Sequence, residues 1–380
     1  MSFTETTTQG CGSRIMGSFA GFLIGPLLIA GAIWLLAWNE GRAVQAIVGL
    51  NDASKSVIES SGTPTPANEG KLVHVVAPTT AAKPITDSDL GLSFDNDVAV
   101  NRIVEMYQWR EKKEETSHDN AGGSQTTVTT YTYEQAWSQE PIDSTGFKHP
   151  AGHTNVAMPF RTQLFHAVDA KVGGYTLDDV TLGLVKFAVP IKPAAPQGWV
   201  NHADELYRSA NPVNPAIGDL RVRYMSLPAG ATLSVMAAQS HDGFTPYVTE
   251  NGYGIHFARL GNVTAAAMIA DKRASERALT WVLRGLGAAI MFGGFSLLLG
   301  PLSAMASVIP FLGSIVRGAA AGLAFVLTVP LTLVTIALAW LAFRPLLGAG
   351  LLILAAIAVY LLWRWHHART VNTAPVPKPA

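Results

Sequence analysis

Histidines four residues apart are the first place to look for chemistry in this chain. His149 and His153 have the spacing that sets two imidazoles on one helix face for a divalent metal. Pro150 and Gly152 stand between them and argue against that helix. The pair is therefore expected as loop histidines bonded to backbone, even with His166 or Asp169 as conceivable third ligands. Glu105, Tyr107 and Trp109 alternate along one strand face, where they can line a groove, but strand packing accounts for them without a ligand. No Gly-rich phosphate loop, Gly-x-Ser-x-Gly elbow or His-Glu-x-x-His run occurs. No catalytic group, metal or cofactor is expected.

A third set lies in apolar surroundings. Thr328, Thr332 and Thr335 share one face of a helix around Pro330, and their hydroxyls can line a pore in an oligomer. Bonding to a neighbouring helix, or to the carbonyl four residues back, accounts for them more simply. No ionisable residue falls at mid-membrane depth, which counts against a coupled transporter.

The elements that hold these groups are set by the hydropathy pattern. Residues 15–38 form an uncharged run that makes a helix of about 36 Å, long enough to cross a bilayer. Three more crossings are expected at 279–300, 318–343 and 346–363, with a broken, interfacial or re-entrant segment at 301–317. Trp34, Trp38, Trp281, Trp340, Trp363 and Trp365 fall near the expected helix ends, where indole suits the interface. Gly17, Gly21 and Gly25 on the first helix, and Gly285, Ala289 and Gly293 on the second, give small residues every four positions for close helix packing.

Residues 39–278 carry most of the charges and prolines and read as a water-soluble insert. Ala43–Ile58 suits a helix, and Thr264 suits the cap of a helix running into the second crossing. Between them strands are expected at Lys71–Ala77, Val98–Arg110, Thr127–Trp137, Leu182–Val189, Asp219–Ser226, Thr232–Ala238 and Tyr253–Arg259. Glu111–Gln125 is expected as the exposed tip of a hairpin. The fold class is thus a multi-pass α-helical membrane protein, with one N-terminal and three C-terminal crossings around a large β-rich α+β domain. Residues 1–14 and 364–380 are tails, the first of them Thr-rich and expected to be disordered.

Lys plus Arg and Asp plus Glu both number 27, so the net charge is zero and provides no field for nucleic acid. The single cysteine, Cys11, leaves the insert without an internal disulfide. Positive charges flank the crossings on both sides, so charge bias does not set the orientation.

Several segments resemble the transmembrane protein 43 family, also called LUMA. They are Asn39-Glu40-Gly41-Arg42-Ala43, Asn68-Glu69-Gly70-Lys71-Leu72-Val73-His74 and Val104-Glu105-Met106-Tyr107-Gln108-Trp109. Tyr131-Thr132-Tyr133 with Trp137, Gly152-His153-Thr154-Asn155 and Gly218-Asp219-Leu220-Arg221-Val222 follow, then Thr280-Trp281 with Leu283-Arg284, and Arg344-Pro345-Leu346. The resemblance implies four crossings, cytoplasmic termini, and a domain in the lumen or, in a bacterium, the periplasm. Eukaryotic relatives sit in the endoplasmic reticulum and inner nuclear membrane; the Ala-rich, Lys-poor character here looks bacterial, which implies an inner membrane. Membership brings no catalytic residues, and it singles out His153 and Asn155 as lying inside a family motif. The expected function is a non-enzymatic scaffold that self-associates and organises other membrane proteins, with an oligomeric ion channel as the alternative and a metal-dependent hydrolase as a third.

Overall fold

The computed structural model describes residues 2–120, 124–306 and 310–343, together with 353 and 360. Two compact units emerge. A β-rich unit takes Met1–Thr8, Ile47–His118 and Gln125–Ala274; a helical unit takes Gln9–Ala46, Asp119–Ser124 and the chain from Ser275 onward.

In chain order the elements begin with β1 (Ser2–Gln9), α1 (Cys11–Ser56), β2 (Ile58–Ser60), β3 (Leu72–Thr80), β4 (Ile85–Asp87), β5 (Leu92–Phe94), β6 (Asp97–Asp119) and β7 (Gln125–Ser138). Shorter pieces follow: β8 (Gln163–His166), β9 (Lys171–Val172), β10 (Tyr175–Thr176), α2 (Asp179–Gly183), β11 (Val189–Ile191), β12 (Val200–His202) and β13 (Glu205–Arg208). The β-rich unit closes with β14 (Leu220–Pro228), β15 (Thr232–Ser240), β16 (Gly243–Thr245), β17 (Tyr247–Val248), β18 (Gly254–Ile255) and β19 (Phe257–Leu260), before α3 (Ala265–Leu298), α4 (Gly300–Ala306) and α5 (Pro310–Phe343).

Two large sheets and two small ribbons, β4-β5 and β17-β18, make up the β-rich unit among the described residues. The larger runs β1-β7-β6-β14-β13-β12, with β11 on β14 and β8 on β6; the smaller runs β10-β9-β3-β15-β16, with β19 on β15 and β2 on β3. The chain changes sheets between β14 and β15 in three residues. Gly230 sits at φ +84°, open to glycine and strained for other residues, and donates its N–H to the Thr79 carbonyl at 2.7 Å. Alternate residues of both sheets meet in one core, including Val73 and Val75 from β3, Val100 and Val104 from β6, Val222 from β14 and Val235 from β15. Fully burying each such side chain stabilises by about 1.5–3 kcal/mol.

One charge lies in that core by register. Strand alternation turns Arg102 inward with Val100 and Val104, and it is 1% exposed, directly opposite Tyr224 across the ladder. Its Nη1 donates to both oxygens of the fully buried Asp87 (2.7 and 2.8 Å), and Nη2 donates to Asp89 (2.8 Å). The Tyr224 hydroxyl donates to Asp87 at 2.6 Å, and burial together with that carboxylate pushes its phenol far above the ordinary range. Burial works against the guanidinium charge, yet Asp89 and Asp87 outweigh it and hold Arg102 above its usual value.

Among the described residues, three helices are long and apolar enough to cross a membrane: Ala20–Ser56, Ala265–Leu298 and Ile315–Phe343. Neither Pro26 in α1 nor Pro330 in α5 ends its helix. The expected fourth crossing at 346–363 lies outside the described residues apart from Ile353 and Tyr360.

Several expectations change. Within 301–317 the described residues are helical, in α4 (Gly300–Ala306) and in α5 from Pro310 on. Leu182–Val189 is not a strand: the Asp178 side chain accepts the Thr181 N–H at 2.8 Å and caps α2. The expected tip at Glu111–Gln125 is mostly ladder, since pairs such as Lys112–Glu134 (2.7 Å) and Ser117–Thr127 (2.9 Å) extend the hairpin to Asp119.

Ser2–Gln9, expected as a disordered tail, is β1, paired with β7. Phe3 stacks on His149 and Glu5 pairs with Lys148 at 3.1 Å. A backbone ladder requires both strands in one compartment, whereas the sequence reading set the tail and the domain on opposite sides of a bilayer.

Two measurements check these features. Asp87→Ala leaves a buried guanidinium short of its main partner and is expected to cost about 3–5 kcal/mol in denaturant unfolding. With β1 seated on β7, a membrane-impermeant maleimide added to sealed vesicles labels Cys11 from the same face as a cysteine placed at the exposed Val213. Labelling from opposite faces would remove β1 from the sheet.

Candidate functional site

In the β-rich unit, Asn155 acts as a clasp. Its Oδ1 accepts the Trp109 N–H (2.7 Å), its Nδ2 donates to the carbonyls of Trp109 (3.0 Å) and Ile142 (3.1 Å), and its own N–H goes to Ser144 Oγ (2.9 Å). The side chain thus replaces ladder bonds that β6 lacks beside this segment. His153 is 3% exposed, stacks on Tyr133 at 3.9 Å with Trp109 edge-on at 4.8 Å, and faces the His149 carbonyl with Nδ1 at 3.0 Å. His149 stacks on Phe3 at 4.3 Å, and the same phenyl ring lies edge-on to His153 at 6.2 Å. The Tyr133 hydroxyl donates to Glu111 at 2.5 Å; burial, then that carboxylate, raises its phenol above the usual value.

Glu105, Tyr107 and Trp109 do share a strand face, but not one site. Glu105 accepts from Arg221 Nε at 2.7 Å, and Arg221 lies over the Trp137 ring at 4.6 Å, with Tyr107 on the same indole at 5.2 Å. Trp109 belongs to the His153 cluster. Asp219, in another family motif, accepts from Ser209 Oγ (2.5 Å) and the Ala216 N–H (2.8 Å) beside a polar groove of about 680 Å³ lined by Arg208 and Gly218.

In the helical unit α1 and α3 run antiparallel. Gly21 and Gly25 of the first strip are at the contact, and a Cβ at Gly25 would come within 2.7 Å of the Gly294 carbonyl oxygen. Among the described residues, nothing lies within 4 Å of a Cβ placed at Gly17. On α3 the contact with α1 is carried by Gly294 and by Gly287, against Leu36; at the expected Gly285 and Gly293 no described residue lies within 4 Å of an added Cβ, and Ala289 lines a cavity.

The same contact holds a polar cluster that the site reasoning missed. Glu40, 2% exposed, accepts from Arg284 Nε (2.7 Å), Arg284 Nη2 (2.9 Å) and the Trp340 indole (2.7 Å). Arg284 also lies over the Trp281 ring at 4.7 Å. One turn along, Arg42 pairs with Glu276 and donates to Thr280 Oγ1 (3.2 Å), while Asn39 donates to the Thr280 carbonyl (3.1 Å). These groups sit at the end of one apolar stretch, the start of the next and the end of the third. The signal was present: Arg284 stands inside the expected 279–300 crossing, where an isolated charge needs a counter-ion.

The threonine face points within the unit. Thr335 donates to the Leu331 carbonyl four residues back (2.8 Å), and Thr332 contacts Met291 Sδ (3.5 Å). Thr328, buried, lines with Thr332 and Ala289 an apolar cavity of about 380 Å³ between α3 and α5.

The cluster makes a measurable claim. Glu40→Ala should lower the stability of the detergent-solubilised protein by about 3–5 kcal/mol, because it leaves Arg284 uncompensated. Arg284→Ala should cost a comparable amount, and the double variant less than the sum. Additive losses in thermal unfolding would show that the two are uncoupled.

No solved structure matches the chain. Among curated proteins it is similar to transmembrane protein 43 of mouse (28% identity over 377 residues, covering 94% of this chain and 92% of the relative) and of human (29% over 364, covering 90% and 89%). The Drosophila melanogaster homologue is 26% identical over 345 residues, covering 88% and 92%. The family model described as Transmembrane protein 43 matches residues 106–345, a stretch that holds the Asn155 clasp, Arg284 and Trp340. With the family model spanning more than half of its length, the chain belongs to the transmembrane protein 43 family.

Proposed function

We propose that the protein is a non-enzymatic membrane scaffold that self-associates and organises other membrane proteins through its β-rich unit. One observation carries this reading: the polar residues of the family motifs are bonded to the protein itself. Asn155 binds backbone of its own unit, Glu105 binds Arg221, Asp219 fixes its own loop, and Glu40 binds Arg284 and Trp340. An enzyme directs such groups at a substrate; a scaffold uses them to keep a surface in one shape.

On this reading the apolar helices, with a fourth crossing at 346–363, anchor the chain, and the β-rich unit lies on the extracytoplasmic side. In a bacterium, which the Ala-rich, Lys-poor composition suggests, that is the periplasm. A crossing by α1 sets Ser2–Gln9 on the cytoplasmic side, whereas the β1–β7 ladder sets it beside the β-rich unit, and Cys11 labelling decides between the two. The inward bonding of Thr332 and Thr335 supports the scaffold over the channel reading.

The test is the oligomeric state of the full chain in lipid nanodiscs or mild detergent, by native mass spectrometry and crosslinking. Defined assemblies of two or more copies are expected. A strict monomer at all protein concentrations, forming no crosslinked species, would overturn self-association.

A further inference from the structure

We propose that His74, Glu59 and the Val263 carbonyl form a proton-operated latch that holds the residue leading into α3. β2 and β3 pair in parallel with Glu59 beside His74, and on the other side β15 pairs Met236 with His74. This buries the imidazole to 2% exposure. Its Nδ1 lies 2.6 Å from Glu59 Oε2 and its Nε2 2.9 Å from the Val263 carbonyl oxygen.

Both neighbours are acceptors. A backbone carbonyl offers no proton, so Nε2 must carry one. A neutral imidazole has only that N–H, and its Nδ1 lone pair would then face a carboxylate oxygen at 2.6 Å, acceptor against acceptor. A second proton turns this clash into a charge-assisted hydrogen bond. The geometry is therefore that of the doubly protonated ring.

Glu59 is the titratable group bonded to the ring among the described residues. From β15 come Met236 and Ser234, neither of which titrates, and the neighbouring core of Leu72, Ala265, Met268 and Ile269 is apolar. Ser234 Oγ accepts the Val263 N–H at 2.9 Å and donates to the Gly261 carbonyl at 2.7 Å. With both backbone groups of Val263 held, Thr264 is placed to cap α3, its Oγ1 accepting the Ala267 N–H at 3.3 Å. When the ring loses its second proton, Glu59, whose side chain is 70% exposed, is free to turn to water, and the hold on β2 and on the entry to α3 loosens.

Hydrogen exchange of the full chain in nanodiscs, corrected for intrinsic rates, tests the latch at Ile58–Ser60 and Met268–Ile269. Between about pH 5.5 and 8, the range in which histidine changes charge, protection is expected to fall about tenfold, as loss of a hydrogen bond to a charged group implies. Glu59→Gln should abolish the dependence and stay protected throughout, since its amide N–H can donate to the Nδ1 of a neutral ring. His74→Leu should be unprotected throughout. His256, whose pKa is lowered by burial, acts with the opposite sign: its contribution to stability is lost on acidification. Protection that is constant or rises with pH in the wild type, or a Glu59→Gln protein that follows the wild-type profile, would overturn the proposal.

Discussion

A carboxylate withdrawn from water between apolar helices needs its counter-charge in place, because desolvating each ion costs several kcal/mol and only close, well-directed partners offset it. Glu40 meets that condition with three donors, two from Arg284 and one from Trp340. The constraint is mutual: Arg284 is equally untenable in an apolar stretch without Glu40. It acts on three helices at once, fixing which turn of α1 lies beside which turn of α3, while the indole adds the end of α5. The close packing at Gly25 and Gly294 then follows from the register, as small residues must fall where the backbones approach.

The β-rich unit applies the same rule in a different medium. Arg102 sits on the inward face of β6, and the sheet tolerates it because the β4 strand brings Asp87 to the guanidinium fork and Asp89 follows closely. Each unit thus holds a buried ion pair, Arg284–Glu40 in the helical unit and Arg102–Asp87 in the β-rich unit. Such pairs add less net stability than an apolar core of equal volume, but a misregistered alternative leaves both ions unpaired, so they discriminate strongly against wrong packings.

A second theme is the replacement of missing backbone partners by side chains. Asn155 supplies both halves of an amide to Trp109, Ser234 bridges Gly261 and Val263, and His74 reaches across to the Val263 carbonyl. These substitutions occur where strands end or change direction, the places where buried N–H and C=O groups would otherwise lack partners. They explain why polar residues inside the family motifs need no ligand to account for their positions. His74 differs from the others in that both its partners, Glu59 and the Val263 carbonyl, are acceptors.

Much was legible in the chain. Long apolar runs gave the helices, the Val98–Arg110 alternation gave β6 with Arg102 among its inward residues, and Thr264 marked the start of α3, because periodicity and capping are local properties carried by consecutive residues. Hairpin length, the helix at Asp179–Gly183 and the pairing of β1 were not, since cross-strand partners and a single capping carboxylate settle them. The same division holds for function. The sequence by itself determined a membrane-anchored chain of the transmembrane protein 43 family without a recognisable reaction motif. Only the tertiary structure decided that Glu40 belongs to Arg284, 244 positions away, and that His74 lies between two acceptors, because burial and charge pairing depend on distances in space that spacing along the chain does not encode.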